Sequence, residues 1–330
     1  MKVFVTGGGG FLGQVIVEQL LEKGHEIHTY SRNESKALNK PGVTQFQGNL
    51  TDYEVLHNAM KGCEAVFHIA AKTGIQGTYS SFYDTNVTGT KNIVKACIEL
   101  KIPHLIYTSS ASVAYSGNSE GKNETLPYPK KFDAYYPKTK AIAEKFVLDA
   151  NGLALTTCSL RPHLVWGPND PHFLPRLLDR RRKDKLRVLG SKDYRVDITY
   201  VDNAAKAHLK AFDAMRSNPI SVGGKPYFLS QDEPINVRDF IDRLLDSDGL
   251  KPVEKTLNPK VARFLGWLIQ SVFRLFKLKN EPPLTLFVAK QLSSSHWYDI
   301  SAAKNDFGYT PTVSTDEGMK RLKEWNKHMV

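Results

Sequence analysis

Cysteine is scarce in this 330-residue chain. Cys63, Cys97 and Cys158 form an odd, scattered set without metal-ligand spacing. That pattern excludes a disulfide framework, points to a reducing compartment, and gives no reason to expect a metal. No apolar run is long enough and free enough of charge to span a bilayer. No internal repeat or low-complexity tract interrupts the chain, and no leader peptide is expected, because strand-like residues begin at once. Acid is in short supply: 45 Lys and Arg face 34 Asp and Glu, a formal net charge of +11. Such a balance suits an anionic partner. The basic residues are not interleaved with a stacking platform, so nucleic acid is not expected. The length fits one large α/β domain, or such a domain with an appended lobe.

The first thirteen residues, MKVFVTGGGGFLG, organise what is present. Lys2 to Thr6 reads as a buried strand with no polar alternation. Four glycines follow, and the spacing of Phe11, Leu12, Val15, Ile16 and Leu20 predicts a helix opening inside the glycine run. Strand, tight turn and helix N-terminus together make a phosphate site. Glycine lets a pyrophosphate approach the backbone, and the helix end offers unpaired N–H donors and a positive dipole. Gly7, Gly10, Phe11, Leu12 and Gly13 are the candidate cradle. The second strand, Glu26 to Tyr30, ends at Ser31-Arg32, with no acid between His28 and Asn33. An acid there would bind the ribose 2′-hydroxyl of NAD, whereas a base accommodates the 2′-phosphate of NADP, so NADP(H) is the expected cofactor. A phosphorylated cofactor and an anionic substrate or surface then account for the charge.

Strand and helix patterns alternate along the first two thirds. Strands are predicted at Val43–Phe46, Ala65–Ile69, Leu105–Tyr107 and Leu155–Leu160, with a last one at Tyr227–Leu229. Helices are predicted from about Asp52 to Met60, from Asn86 onward, from Ala141 to Leu148, and from about Asp202 to Met215. The expectation is an α/β fold with a doubly wound parallel sheet and a smaller, mostly helical substrate lobe. Residues 1–167 with 196–230 are assigned to the dinucleotide-binding domain, and 168–195 with 231–330 to the lobe. Ala70-Ala71, after the fourth strand, are small enough for close approach to a cofactor.

The chemistry is placed on Tyr136 and Lys140, four residues apart at a helix start and therefore on one face. A lysine cation beside a phenol favours phenolate and lowers its pKa, so the phenol can exchange a proton near neutrality. A serine after the preceding strand can bond the same substrate oxygen. Ser110 is the candidate, ahead of Ser109 and Ser112.

With these motifs the chain resembles an extended short-chain dehydrogenase/reductase. The likeness rests on Thr6-Gly7-x-x-Gly10-x-x-Gly13, Asn86-Val-x-Gly89-Thr, Thr108-Ser-Ser110, Tyr136-x-x-x-Lys140 and Arg161-Pro162. It is similar to the 3β-hydroxysteroid dehydrogenase branch, and most of all to bacterial 2-alkyl-3-oxoalkanoate reductases of long-chain olefin biosynthesis. The resemblance implies a catalytic trio of Ser110, Tyr136 and Lys140. It implies a cofactor set of the glycine loop, Ser31, Arg32, Asn49, Leu50, Ala70, Ala71, Asn86, Tyr136, Lys140, Pro162 and His163, with no metal. It implies NADPH-dependent reduction of a 3-ketone in a long-chain keto acid or a sterol-like molecule. A cytoplasmic homodimer is expected, with peripheral contact to a membrane or a multienzyme assembly. Rival readings are a 3β-hydroxysteroid or sterol-4-carboxylate 3-dehydrogenase, a nucleotide-sugar epimerase, and a non-catalytic NADP sensor. Two departures stand out: Asn49 replaces the usual Asp that meets the adenine amine, and no tryptophan lies near Thr78–Phe82.

Residues 258–278, NPKVARFLGWLIQSVFRLFKL, carry an apolar stripe of Val261, Leu265, Leu268, Val272, Leu275 and Phe276. Lys260, Arg263, Gln270, Ser271, Arg274 and Lys277 lie largely off it. The stripe is expected either to pack on the lobe core or to line the acyl-chain pocket as a lid, with the basic face turned to a membrane or partner.

Overall fold

Val3, Phe4 and Val5 show no polar alternation because both faces of their strand are covered. Val3 and Val5 join one hydrophobic cluster, while Phe4 points into another on the opposite side. In the computed structural model, which describes residues 1–190, 193–276, 278, 280 and 282–329, this strand is central to a seven-stranded parallel sheet. The strands are β1 (Lys2–Thr6), β2 (Glu26–Ser31), β3 (Val43–Gln47), β4 (Ala65–His68), β5 (His104–Thr108), β6 (Thr156–Pro162) and β7 (Lys225–Leu229). Their spatial order is β7-β6-β5-β4-β1-β2-β3, every neighbouring pair being parallel. The order reverses beside β1. In open α/β sheets that switch point leaves a crevice beyond the carboxyl ends of the strands.

Helices cover both faces. α1 (Phe11–Glu22), α2 (Tyr53–Met60), α3 (Gly89–Glu99), α4 (Tyr135–Asp149), α5 (Phe173–Arg182) and α6 (Val201–Ser217) follow in chain order. α1 and α6 bury Ile16, Val17, Ala204 and Phe212 on one side, whereas α2, α3 and α4 bury Leu56, Ile93, Cys97 and Val147 on the other. All three cysteines are buried and free. α3 begins earlier than expected, as one continuous helical run from Tyr79 that passes through a π-helical turn at Asp84–Thr88. Such wide turns often mark functional sites, and this one holds Asn86.

The lobe gathers α5, α7 (Val237–Asp246), α8 (Pro259–Leu275) and α9 (Leu286–Gln291) around a small four-stranded sheet. One of its strands, Ser119–Lys122, comes from the segment assigned by sequence to the dinucleotide domain, and pairs with His296–Tyr298. Long-range pairing of a short polar strand leaves no local periodicity to read.

α8 corrects the sequence reading. Its buried residues are Ala262 and Gly266, not the large apolar ones. A Cβ on Gly266 would lie 2.7 Å from the Thr285 carbonyl carbon, so the glycine lets α8 press against the start of α9. The stripe of Val261, Leu268, Val272 and Leu275 therefore faces outward, with Leu265 partly covered. Phe276, just past the helix, is also exposed, and Lys277 lies outside the described residues.

Candidate active site

One cavity of about 960 Å³ opens along the carboxyl edge of the sheet and continues under the lobe. Its first wall is backbone. Gly7 has φ +70°, and a Cβ there would meet the Ala70 backbone at 3.0 Å. A Cβ on Gly13 would lie 2.1 Å from the Gly7 carbonyl oxygen. No larger residue fits either place. Gly10 caps α1 without a side-chain hydrogen bond, so the helix N-terminus is presented bare to the cavity. The Thr6 hydroxyl accepts from the Ile69 and Ala70 amides, both at 3.1 Å, and so donates to His68 Nδ1 at 2.7 Å. The other ring nitrogen meets Thr90 Oγ1 at 2.9 Å. Burial holds this imidazole neutral, its pKa pushed down to about 3.

Ser31, Arg32, Asn49, Leu50, Ala70, Ala71, Pro162 and His163 line the same cavity as the glycine loop, in pairs from the ends of β2, β3, β4 and β6 or the turns beyond them. Arg32 is exposed, with its side chain at the rim. The Asn49 amide oxygen accepts from the Thr51 amide at 3.3 Å, which fixes its orientation. Asn86 does not reach the cavity wall. It is buried behind it, accepting from the Lys72 amide at 2.7 Å and donating to the Lys72 carbonyl and to Thr139 Oγ1, both at 3.0 Å. It fastens the turn after β4 to α4. The Asn-Val-x-Gly motif marks this staple without showing which way the amide points.

Ser110, Tyr136 and Lys140 line the middle of the cavity. Ser110 Oγ accepts from the Ser112 amide at 3.2 Å and lies 2.8 Å from Ser112 Oγ. A hydrogen bond from Ser110 lowers the pKa of the Tyr136 phenol, but burial outweighs it and the pKa stands above its ordinary value. The Lys140 ammonium donates to the Thr108 carbonyl and sits 4.0 Å from the centre of the Tyr107 ring. Burial pushes its own pKa down to about 7, partly offset by Glu144. Lys140 is therefore a group that itself exchanges a proton near neutrality.

Glu144 is the residue that sequence reasoning missed. It lies one turn beyond Lys140, fully buried, and pairs with the buried Arg161 through Nε at 3.0 Å to both carboxylate oxygens and Nη2 at 2.6 Å. Tyr128 and Ser159 each donate to it at 2.7 Å. Four donor atoms hold the carboxylate ionised, its pKa below the usual range despite burial. Arg161, noted as part of a motif, thus clamps α4 to β6. An acid set among Ala141, Ala143 and Val147 was the available signal.

The lobe wall of the cavity is apolar: Phe173, Val237, Phe240, Ile241, Phe287, Val288 and Leu292. Its polar exceptions include His296, whose ring centre lies 4.9 Å from that of His163. Both imidazoles are held neutral by burial, His296 down to about 4. No residue of α8 lines the cavity; α9 supplies Phe287, Val288 and Gln291 to its wall.

Residues 4–259 match the 3-beta hydroxysteroid dehydrogenase/isomerase family. The chain belongs to that family. It is an NAD(P)-dependent oxidoreductase of the extended short-chain type. It is 46% identical over 329 residues to a 2-alkyl-3-oxoalkanoate reductase of Shewanella oneidensis, covering 97% of this chain and 85% of the relative. It is 34% identical to a decarboxylating sterol-4-alpha-carboxylate 3-dehydrogenase of Mus musculus, covering 99% of this chain and 91% of the relative. In fold it is similar to a Thermus thermophilus UDP-glucose 4-epimerase solved with NAD, with a TM-score of 0.75 at 23% identity and all of both chains covered. Members of this family work with a nicotinamide dinucleotide, and the glycine cradle described above has the shape such a group needs.

Proposed function

We propose that the protein is an NADPH-dependent reductase converting a 2-alkyl-3-oxoalkanoic acid to the 2-alkyl-3-hydroxy acid, in the route to long-chain olefins. The observation that carries this reading is the continuity of one cavity from the glycine cradle, past Ser110 and Tyr136, into an apolar chamber. The bound dinucleotide supplies the hydride for the ketone carbon. Gly7, Gly10 and Gly13 would hold its pyrophosphate, Arg32 would meet the 2′-phosphate, and Pro162 and His163 would border the carboxamide. Ser110 donates to the ketone oxygen and polarises the carbonyl. Tyr136 transfers its proton to that oxygen as charge develops there. Lys140, its pKa lowered by burial, would restore the proton. The apolar lobe wall takes the alkyl chains.

A second reading has one observation in its favour. The likeness to the mouse sterol dehydrogenase fits a rigid hydrophobic substrate oxidised with NAD. The chamber's lining of Phe173, Phe240 and Phe287 suits a nucleotide diphosphate poorly. The test is run in the oxidative direction, because 3-keto acids lose carbon dioxide spontaneously. Reduced nicotinamide formation is followed with NADP⁺ or NAD⁺ and a panel of 2-alkyl-3-hydroxy acids, 3β-hydroxysteroids and nucleotide sugars. Turnover of the dialkyl acid with NADP⁺ is expected to exceed all others. Preferential turnover of a steroid with NAD⁺ would overturn the reading.

A further inference from the structure

Large apolar side chains are unevenly distributed over the surface. Thirteen are exposed among the described residues, and eight of them fall between Val261 and Leu278. The other five, Met1, Val55, Ile98, Leu153 and Ile220, are scattered over separate elements. Single exposed apolar residues need no explanation, but a continuous face of them marks an interaction surface. Here the face runs the length of α8: Val261, Phe264, Leu268, Val272 and Leu275 follow one another at steps of three or four residues. Leu275 is 75% exposed, Phe264 59% and Trp267 53%. The opposite face, through Ala262 and Gly266, is already committed to α9.

Charge decides what covers the outer face. α8 carries no acidic residue; Arg263 turns inward to donate to Ser293 Oγ at 3.0 Å and the Ser293 carbonyl at 2.7 Å, while Lys260 and Arg274 are exposed. A second copy docked symmetrically would bring this face against itself, cation to cation, with no carboxylate of the helix to answer them. An anionic lipid surface offers the complementary sign. A helix in the plane of such a surface buries its apolar side among the acyl chains and leaves its basic flank at the headgroups, with Trp and Phe at the boundary. No described helix is long and apolar enough to cross a membrane, so the contact is peripheral.

We infer that the outer face of α8 docks the enzyme on an anionic lipid surface, lying in its plane. The placement relative to the cavity gives this a consequence. α9, packed on the inner face of α8, contributes Phe287, Val288 and Gln291 to the cavity wall. α8 is also tied to the start of α4: Gln270 donates to the Asp133 carbonyl at 3.2 Å, and the Arg274 guanidinium lies 5.0 Å from the centre of the Tyr135 ring. On the proposed reductase reading, a dialkyl substrate dissolved in the bilayer would meet the protein one helix away from its chamber.

The test is co-sedimentation of the full chain with phosphatidylcholine vesicles, with and without phosphatidylglycerol. A Phe264→Glu/Leu268→Glu/Leu275→Glu variant is compared with the wild type. The wild type is expected to bind the anionic vesicles, and about tenfold more weakly to neutral ones or at high salt. The variant is expected to lose at least about tenfold in affinity for anionic vesicles while its melting temperature and dinucleotide binding stay unchanged. A blue shift of tryptophan emission on vesicles, absent in Trp267→Phe, would place α8 itself in the lipid. Absence of wild-type binding, or equal binding by the variant, overturns the inference. So does a wild type that binds no vesicle and whose solution mass is halved by the variant, which would make the face a self-interface. None of these readouts uses turnover, so they stand or fall separately from the proposed reaction.

Discussion

The two ends of the cavity are made of different material. At the glycine end the wall is backbone, brought close by Gly7 and Gly13, with a helix N-terminus aimed inward. At the lobe end it is mostly aromatic and aliphatic residues, collected largely from α5, α7 and α9. A backbone wall recognises a feature shared by every dinucleotide. A side-chain wall can be reshaped residue by residue without disturbing the sheet. The proposed reacting groups stand at the seam, just past β5 and at the start of α4. The comparison teaches that one scaffold can hold cofactor and chemistry constant while substrate choice varies in the lobe.

The largest expected effect tests the seam. Tyr136→Phe removes the phenolic proton and leaves both walls intact. Turnover should fall by about two to four orders of magnitude, the usual worth of general acid catalysis, with dinucleotide affinity nearly unchanged in a fluorescence titration. Near wild-type turnover would show that the proton comes from elsewhere. Next in size is the clamp beneath the seam. Glu144→Ala leaves Arg161 buried without its counter-charge, a loss of about 3–5 kcal/mol in unfolding free energy for a buried pair broken on one side. Denaturant unfolding measures it. A loss below about 1 kcal/mol would mean that water or rearrangement satisfies Arg161.

Acid should weaken both regions alike, because each holds imidazoles neutral by burial. His208 accepts from the Thr108 hydroxyl at 2.7 Å and gives its Nδ1 proton to the Ala204 carbonyl at 2.7 Å. Its pKa is pushed down to about 4. Unfolded, it titrates near 6.5, so between those values the unfolded chain binds more protons. The contribution is fully present above about pH 6.5, is lost as pH falls towards 4, and amounts to about 3 kcal/mol at most. His208→Gln and His296→Gln should each flatten the fall of melting temperature across that window. An unchanged slope in both would show that these rings are not held neutral in the fold.

How much of this was legible follows the same division. The parallel sheet could be read because β1, β4 and β5 are covered on both faces and so lack polar alternation. The glycine loop could be read because only glycine fits where Cβ atoms would collide. Tyr136 and Lys140 could be placed because helical spacing is rigid. Three things were out of reach. Asn86 bonds Lys72 and Thr139 and does not line the cavity, and no spacing reveals the direction of an amide. Lys140 turns to Thr108, a contact set by tertiary burial that no local pattern carries. The periodicity of α8 gave a true amphipathic helix but not which side faces the protein. Ala262 and Gly266 decided that by permitting close approach, and small residues contribute little to an apolar pattern.

The smallest expected effect sharpens the comparison most, because Arg32 is the side chain proposed to discriminate between the two dinucleotides. The glycine cradle binds the pyrophosphate of either dinucleotide, since NAD and NADP differ only at the ribose 2′ position. Arg32 stands at the rim after β2, where no acid is present to accept a 2′-hydroxyl. A charge-assisted hydrogen bond to the 2′-phosphate is worth about 1.5–3 kcal/mol. Arg32 is exposed, and solvent screening draws the value towards the lower end of that range. Arg32→Ala should then weaken NADPH by about tenfold to a hundredfold. NADH, which offers no charge at that position, should bind nearly as before. Rising salt should narrow the wild type's preference and leave the variant's almost flat. Parallel titrations of both cofactors against both proteins measure all four affinities. Equal losses for NADPH and NADH would mean that Arg32 shapes the loop instead of reading the phosphate, and the proposed NADP preference would lose its support.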